Sequence, residues 1–554
     1  MSLPAFSTQA ELFSTAGLSG SLFAPTDRYR LFAQKVYPAL VRVRTKLEAC
    51  YCPDNGRLAL EPVLLLGVSL LQYLEAVPDR QAVDLPHYHA GWNFALNRQV
   101  GDELFHATTL VNFRQRLLDH DLSTVGFALV LEALVEAGLV ARQSRQRLDS
   151  TPMFGRVSRM SRLDCVRESL RLALQEPAEE VPAEGRPAWW LLLWERYVDS
   201  QADYRAPLET LARKMAEAGT DAQQVLGWLA EPPAKEWAQG KQAALLARVF
   251  SEQFEVLAGA GAPQPKPKEQ TSSARVQNPH EPEATYAAKG KGEQKKEHVG
   301  YKVQVAETVS EAVLVAGEPT RNFISGIVTH AALESDQAGS GKMEREQQAL
   351  GMDRPPVQYV DAAYISAQKL VEAAAQGREL IGPALASPHN NDGRFVPEQF
   401  TIAVEQRQAV CPAGQENTQC SRLEEQATGK VSYRFEWNSA TCGPCPLRQQ
   451  CIKAEHSHRT LTVGEHHTAL QTRRQEQQTK PFKQRMRHRN AIEGTQSELV
   501  RAHGLRRARY RGLAKAKLQN YFIGAACNIK RWLRRTAWEL QNGLNAALST
   551  ATAN

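Results

Sequence analysis

Five of the nine cysteines fall between Cys411 and Cys451, and their spacing is the first sign of chemistry in the chain. Cys442-Gly443-Pro444-Cys445 forms a tight knuckle, and Cys411 and Cys451 can complete the four-sulfur tetrahedral set that zinc prefers, with Cys420 left over. With sulfur in all four positions nothing is open to water, so such an ion would hold structure and catalyse nothing. Reduced, buried thiols are the competing reading. The clustering is unlike a secreted disulfide framework, and Cys50 and Cys52, without nearby partners, read as packing residues. The second sign is charge. Arg473 to Arg535 holds 18 Lys or Arg and three acids, Glu476, Glu493 and Glu498, whereas the whole 554-residue chain carries +7, so the remainder is net acidic. A basic block this dense fits a polyanion, because neutralising phosphates releases condensed counterions. Tyr510, Tyr521 and Trp532 inside the block favour nucleic acid over a merely solvated helix face.

Around these groups the composition, 42% hydrophobic and 23% charged, is that of a soluble globular protein too long for one ordinary core. Met1 to Arg30 lacks both a basic start and an apolar run, and Pro62 to Leu74 is too short to span a bilayer, so no membrane role and a cytoplasmic location are expected. Leu31 to Cys50, Leu60 to Leu74, Thr109 to Leu118 and Thr124 to Leu139 show helical spacing. His106 to Asp119, with Phe113, Arg114 and Arg116, reads either as the DNA-contacting half of a helix-turn-helix or as an ordinary bundle helix. Ser161 to Ala258 is helix-rich, and its Trp189, Trp190, Trp194 and Tyr197 read as core rather than as a base-stacking platform. Gly259 to Lys296 has the composition of a linker.

From Tyr301 the period becomes two. Tyr301 to Val305, Ala312 to Ala316 and Phe323 to Thr329 are expected as a three-stranded meander. A helix at Leu333 to Leu350, a strand at Val357 to Val360 ending on Asp361, a helix at Ala367 to Ala375 and a strand at Glu379 to Ala384 imply parallel pairing and an α/β core. A polar, cysteine-bearing insertion follows. Phe482 then opens a helix carrying Arg485, Arg489 and Glu493 on one face, which Gly504 can end. Leu513 to Leu533 forms a last helix with Leu518, Phe522, Ala525, Ile529 and Trp532 as its buried stripe.

Three carboxylates lie in recognisable surroundings: Leu148-Asp149-Ser150-Thr151, Tyr359-Val360-Asp361-Ala362-Ala363-Tyr364 and Arg489-Asn490-Ala491-Ile492-Glu493-Gly494. At those residues the sequence resembles the DDE transposases of bacterial insertion sequences, over a stretch from about Phe32 to Trp532 that includes the closing Gly504-Leu505-Arg506-Arg507-Ala508-Arg509-Tyr510-Arg511-Gly512. The resemblance implies an α/β RNase H-like catalytic core, a mixed sheet with flanking helices, interrupted by insertions and preceded by an all-α N-terminal domain. It makes Arg145 to Asp149, too polar to read as a strand from pattern, the first strand of that core. The implied organisation is a helical DNA-end-binding and dimerisation domain over 1–140, the first catalytic strand in 141–160, a helical insertion over 161–260, a linker over 261–298, the core over 299–386, a Cys-rich insertion over 387–467, basic helices with the catalytic Glu over 468–535, and a tail over 536–554.

The same resemblance implies the activity: binding of an element's terminal inverted repeats, DNA cleavage, and joining of the 3′ ends to target DNA. In-line displacement at a phosphodiester requires charge neutralisation on both the attacking and the leaving oxygen, which two divalent ions supply. Hard carboxylate oxygens suit Mg²⁺ or Mn²⁺. Carried over from the family, Asp149 bridges two ions while Asp361 and Glu493 each complete one, and Arg489 contacts a phosphate near the cut or pairs with Glu493. The related signature Tyr-x-x-Arg-x-x-x-Glu-x6-Lys is incomplete, with Met486 at the Tyr position and Val500 at the Lys position, so Arg501 and Lys515 are candidates for the missing cation. The expected DNA-contacting set is Arg114, Arg116, Arg485, Arg489, Arg501, Arg506, Arg507, Arg509, Arg511 and Lys515. Expected partners are double-stranded DNA and a second copy of the chain in a homodimer near the nucleoid, with structural zinc at Cys411, Cys442, Cys445 and Cys451. A stand-alone RNase H-like nuclease and a zinc-containing DNA-binding regulator stay open as alternatives.

Overall fold

The computed structural model describes residues 1–3, 15–98, 102, 105–178, 180–200, 207–232, 234–256, 261–290, 292–386, 393–453 and 456–552. One mixed sheet organises them, built from β1 (Gln146–Phe154), β2 (Thr285–Lys289), β3 (Lys296–Thr308), β4 (Ile324–Ala331), β5 (Val357–Tyr359) and β6 (Glu379–Ile381). β1 is central. β3 runs antiparallel on one side of it, and β5 followed by β6 runs parallel on the other. The far edge of β3 is shared: residues 296–300 pair with β2 and residues 301–307 with β4. Where β1, β2 and β3 meet, Gly300 comes so close that a Cβ would lie 2.2 Å from the Met153 carbonyl oxygen, and only glycine fits.

Two expectations fail here. Residues 312–316 form a surface loop rather than a strand, with Val313 90% exposed. β3 hands over directly to β4 through Thr308 N donating to Phe323 O at 2.9 Å, so the alternating residues lie beyond the strand end with no edge to join. The stretch 261–298, expected as a linker, is instead packed and supplies β2. Its polar composition misled because the polar groups are satisfied inside. The Glu281 carboxylate, fully buried, accepts from the Arg156 and Val157 amides at 2.8 and 3.2 Å and from the Tyr301 hydroxyl at 2.8 Å.

The N-terminal region contains α1 (Arg28–Lys35), α2 (Pro62–Leu74), α3 (Ala107–Asp119) and α4 (Val125–Glu136). α2 is apolar nearly all round and is buried accordingly. These helices share one hydrophobic core with β3, β4 and the C-terminal helix, so the expected separate all-α domain has no core of its own. The helical insertion does. α5 (Arg162–Gln175), α6 (Leu208–Ala230) and α7 (Lys241–Gln253) close around Trp190, Tyr197 and Leu246, and the tryptophans pack against one another, as expected for core.

Beyond β4, α8 (Asp336–Ala349) and α9 (Ala367–Ala375) cover one face of the sheet; Ser335 and Ser366 cap them by accepting from the Ala338 and Lys369 amides. The Cys-rich insertion has a small core under β7 (Thr401–Ala403), β8 (Gln408–Val410), β9 (Gln419–Glu425), β10 (Lys430–Glu436) and β11 (Thr460–Gly464), the last three forming an antiparallel sheet. The chain closes with α10 (His467–Glu476), α11 (Lys480–Asn490), α12 (Ile492–His503) and α13 (Leu513–Thr552). α13 buries Leu518, Phe522, Ala525, Ile529 and Trp532, the stripe read from the sequence. Its Asn528 clamps the open edge of β4, accepting from Ile324 N at 2.8 Å and donating to Ile324 O at 2.9 Å, which closes a strand edge otherwise free to pair.

Candidate active site

Two carboxylates are brought together by strand register. β1 and β5 run parallel with Arg147 opposite Tyr359. Asp149 and Asp361, each two residues further on, therefore come level on neighbouring chains, whose spacing in a sheet is about 4.8 Å. Asp149 is 8% exposed, and its Oδ1 accepts from the Ser150 amide at 2.8 Å. Asp361 follows the end of β5 and caps the turn Ala362–Tyr364, accepting from Ala363 N at 2.8 Å.

The third acid arrives on a broken helix. The single helix expected from Phe482 onward divides at Ala491 into α11 and α12. The break lets α11 lie over β5, where the His488 and Tyr359 rings are 5.4 Å apart, while α12 turns Ile492, Thr495 and Leu499 into the core. Arg489, at the end of α11, donates from Nη2 to Asp149 Oδ2 at 2.9 Å, and its Nη1 lies 3.9 Å from Glu493 Oε1. The guanidinium thus links the first acid to the third, and Glu493 remains 72% exposed beside it. Met486, at the position of the missing Tyr, packs against Tyr359 and Ile381 instead.

Beneath α12 a buried ionic network fixes its seat. Glu307 on β3 is 1% exposed and receives Arg147 Nε at 2.5 Å, Arg531 Nη1 at 2.5 Å and the Thr495 hydroxyl at 2.7 Å. Arg531 also holds Glu498 at 2.8 Å, and Gln496 donates to Ser150 O at 3.3 Å. Strands β1 and β3 and helices α12 and α13 are thereby joined by charge-assisted bonds between side chains far apart in sequence.

Electrostatics single out this corner. Burial raises the Asp149 carboxyl above the usual carboxylate range; the Ser150 amide and Arg489 oppose that, and repulsion from Asp361 and Asp336 adds to it. Asp336 was not among the sequence candidates. It opens α8, 3.2 Å from Lys302 Nζ and accepting from Gln304 Nε2 at 3.2 Å. Tyr364 lies among the acids: burial raises its hydroxyl, as do the charges of Asp336, Asp149 and Asp361. That hydroxyl donates to Gln304 Oε1, and Gln304 also meets His330 Nε2 at 3.1 Å, so a buried polar layer supports the carboxylates. The only hint in the sequence was position, Tyr364 three residues after Asp361 and Asp336 one after a capping serine.

The acids outnumber the cations facing them. Asp149, Asp361, Asp336 and Glu493 meet Arg489 and Lys302, and the excess negative charge and oxygen donors fit hard divalent ions. The acids do not form a tight preformed trio. Among the described residues the one place where three His, Cys, Asp or Glu ligand atoms lie within 4.8 Å of one another is Glu498, His503 and Cys527. There Glu498 is already paired with Arg531, and burial pushes the Cys527 thiol up to about 12, so the group packs α12 against α13.

The other expected residues divide. Arg114 turns inward, 5% exposed, ion-paired with Asp79 and 4.9 Å over the Tyr510 ring, so it is a packing residue and not a surface for phosphate. Arg116 lies over Tyr51 and Arg509 over Tyr73. Arg506 donates to Pro152 O at 3.1 Å, and Arg485 pairs with Glu379. Arg501, Arg507, Arg511 and Lys515 are exposed. In the insertion, burial raises the Cys451 thiol, Arg459 opposes that, and Cys442, Cys411 and Cys445 add to it, so these three lie around Cys451, although no three of the four sulfurs come within 4.8 Å of one another. Cys420 sits apart on β9.

Comparison with known families now bears on this arrangement. The family model described as Transposase DDE domain matches residues 410–533, and that described as Transposase domain (DUF772) matches residues 21–116. These two matches indicate a DDE transposase of an insertion sequence. The first takes in the four cysteines, Arg489, Glu493 and most of the basic block, while Asp149 and Asp361 lie outside it. The second covers the N-terminal helices through most of α3. Neither a curated protein nor a solved structure matches the chain. No helix among the described residues is long and apolar enough to cross a membrane.

Proposed function

We propose that this transposase binds the terminal inverted repeats of its element, hydrolyses the DNA at Asp149, Asp361 and Glu493, and joins the 3′ ends to target DNA, on a sheet that is an RNase H-like core. The observation that carries the reading is the strand register that levels Asp149 with Asp361, together with Arg489 reaching from Asp149 towards Glu493. The strand order, three antiparallel strands followed by two parallel ones, supports the core assignment.

Asp149, Asp361 and Glu493 would hold two divalent ions, Mg²⁺ or Mn²⁺, which when bound neutralise the attacking and leaving oxygens of the scissile phosphodiester. Asp149 works from a half-dry strand, where its charge is little screened. Glu493, exposed on α12, is free to swing towards the strands. Arg489 opposes the effect of burial on the Asp149 carboxyl, and on DNA binding its guanidinium can pass to a phosphate, for which its planar fork is suited. Tyr364 and Gln304 hold the polar layer below and limit how far the acids can turn. In the insertion, Cys411, Cys442, Cys445 and Cys451 would hold one structural zinc. The chain would act as a homodimer, so that two element ends are processed together, and its mass with and without DNA reads this directly.

The test is incubation with the element's own ends and Mg²⁺. The wild-type chain is expected to nick at the element boundary and to yield joined products with target DNA. Asp149→Ala, Asp361→Ala and Glu493→Ala should each abolish nicking and keep DNA binding. Nicking that survives any one of these changes overturns the assignment, and cleavage with no joined product favours a stand-alone nuclease.

A further inference from the structure

A second site lies at the other end of the strand that carries Asp149. An open cavity of about 560 Å³ is enclosed by Phe154, Arg156, Arg159, Tyr286, His298 and Arg507. Its walls are fixed. Phe154 ends β1, donates its amide to Arg506 O at 2.8 Å and accepts from Ala508 N at 2.9 Å, so the basic segment 506–508 is laid against the strand end. Tyr286 lies on β2, and His298 at the start of β3.

We infer that this cavity binds one unpaired nucleotide of a DNA strand, with the arginines on its phosphate and the rings against its base; the inference rests on the DNA-processing reading above. Three observations point to that ligand. Among the described residues no carboxylate pairs with Arg156, Arg159 or Arg507, and Arg159 is further crowded by Arg275, whose guanidinium is lowered first by burial and then by Arg159. The one acid at the rim, Glu297, is already held by Lys295 at 2.5 Å. Rings and cations are interleaved: Arg159 lies 4.9 Å over Tyr286, Phe154 is 37% exposed with its ring 5.9 Å from His298, and His298 Nε2 is buried without a hydrogen-bond partner. A bare phosphate would need neither this volume nor exposed rings, whereas single-strand sites combine a cationic groove with aromatic faces. Asp149 and Phe154 are five residues apart on β1, about 16 Å at 3.3 Å per residue. Being an odd number of residues apart, the two side chains leave the strand on opposite faces, so the cavity is separate from the acids.

The experiment measures binding of fluorescein-labelled oligothymidylate to the full-length chain by anisotropy, beside a duplex of equal length, with folding checked by circular dichroism. Stacking of one base is worth about 1–3 kcal/mol, which corresponds to about 5-fold to 150-fold in affinity. Tyr286→Ala should weaken oligothymidylate binding by a factor in that range and duplex binding by far less, and Tyr286→Phe should restore it. Arg156→Ala with Arg159→Ala should weaken it at least tenfold. Unchanged oligothymidylate binding in folded Tyr286→Ala overturns the inference. Equal losses for single and double strands in the arginine variant, with no effect of Tyr286→Ala, do so too, by reducing the site to a general phosphate contact. Nicking by Asp149→Ala would sink the catalytic reading alone, because this binding does not depend on Asp149.

Discussion

Replacing Glu307 with alanine removes the acceptor shared by Arg147, Arg531 and Thr495 without touching any carboxylate near Asp149. Arg147 and Arg531 have side chains only 5% exposed, so water cannot take over from the lost partner. Breaking a buried pair by deleting one member costs about 3–5 kcal/mol, because the remaining charge is stranded. Arg531 keeps Glu498 at 2.8 Å, whereas Arg147 is left with the His488 carbonyl at 3.1 Å, so the cost falls mainly on β1 and the α11–α12 junction. Hydrogen exchange read by mass spectrometry resolves this, since local opening of α12 is measured apart from the separately packed helical insertion. A cost of 3–5 kcal/mol corresponds to roughly 100-fold to 4,000-fold faster exchange over residues 492–503 at 1.4 kcal/mol per tenfold. Replacing Glu307, Arg147 and Arg531 together with apolar residues of similar size should recover most of that protection, because a whole buried ionic group is often exchanged for hydrophobes at little cost. Exchange within about threefold of wild type in Glu307→Ala, less than about 0.7 kcal/mol, would refute the idea that this network seats the helix bearing Glu493.

Arg489→Ala removes the cation that opposes burial at Asp149, so the carboxyl rises further and the acid limb of the pH profile for cleavage moves to higher pH; an unmoved limb contradicts the pairing. Gly504 ends α12 at φ 74° in open space, so Gly504→Ala pays only for the left-handed backbone, about 1–2 kcal/mol, read as a lower melting temperature and faster exchange at the end of α12. Cys442→Ser should lower zinc content, measured by elemental mass spectrometry, from one ion per chain to near none and loosen residues 401–464; full retention of zinc contradicts the four-sulfur site.

What the sequence made legible is what local pattern controls. α9 and the buried stripe of α13 follow from apolar spacing, and the position of Asp361 follows from a short strand that ends just before it. β1 did not follow. Arg147, Asp149 and Ser150 make it look like a loop, and they tolerate a central strand only because Glu307, Arg489 and Gln496, remote in sequence, supply their partners. The same cause hid β2 and the packed stretch before it, where Glu281 collects donors from the segment just after β1 and from β3. At 312–316 the pattern was present and the edge was not. Asp336 stayed invisible because its proximity to Asp149 is set by how α8 lies on the sheet, which no local spacing encodes.

Residues on β1, after β5 and on α12 are expected to surround the same divalent ions. Loading the chain with Fe²⁺ in place of Mg²⁺ and adding ascorbate and peroxide produces hydroxyl radicals at the ion, and the backbone is cut within a few ångströms of it. Cuts near residues 149, 361 and 493 together, suppressed by excess Mg²⁺ and lost in Asp149→Asn, are the expected result. Cuts confined to one of the three segments, or the same pattern in Asp149→Asn, would contradict a shared metal site.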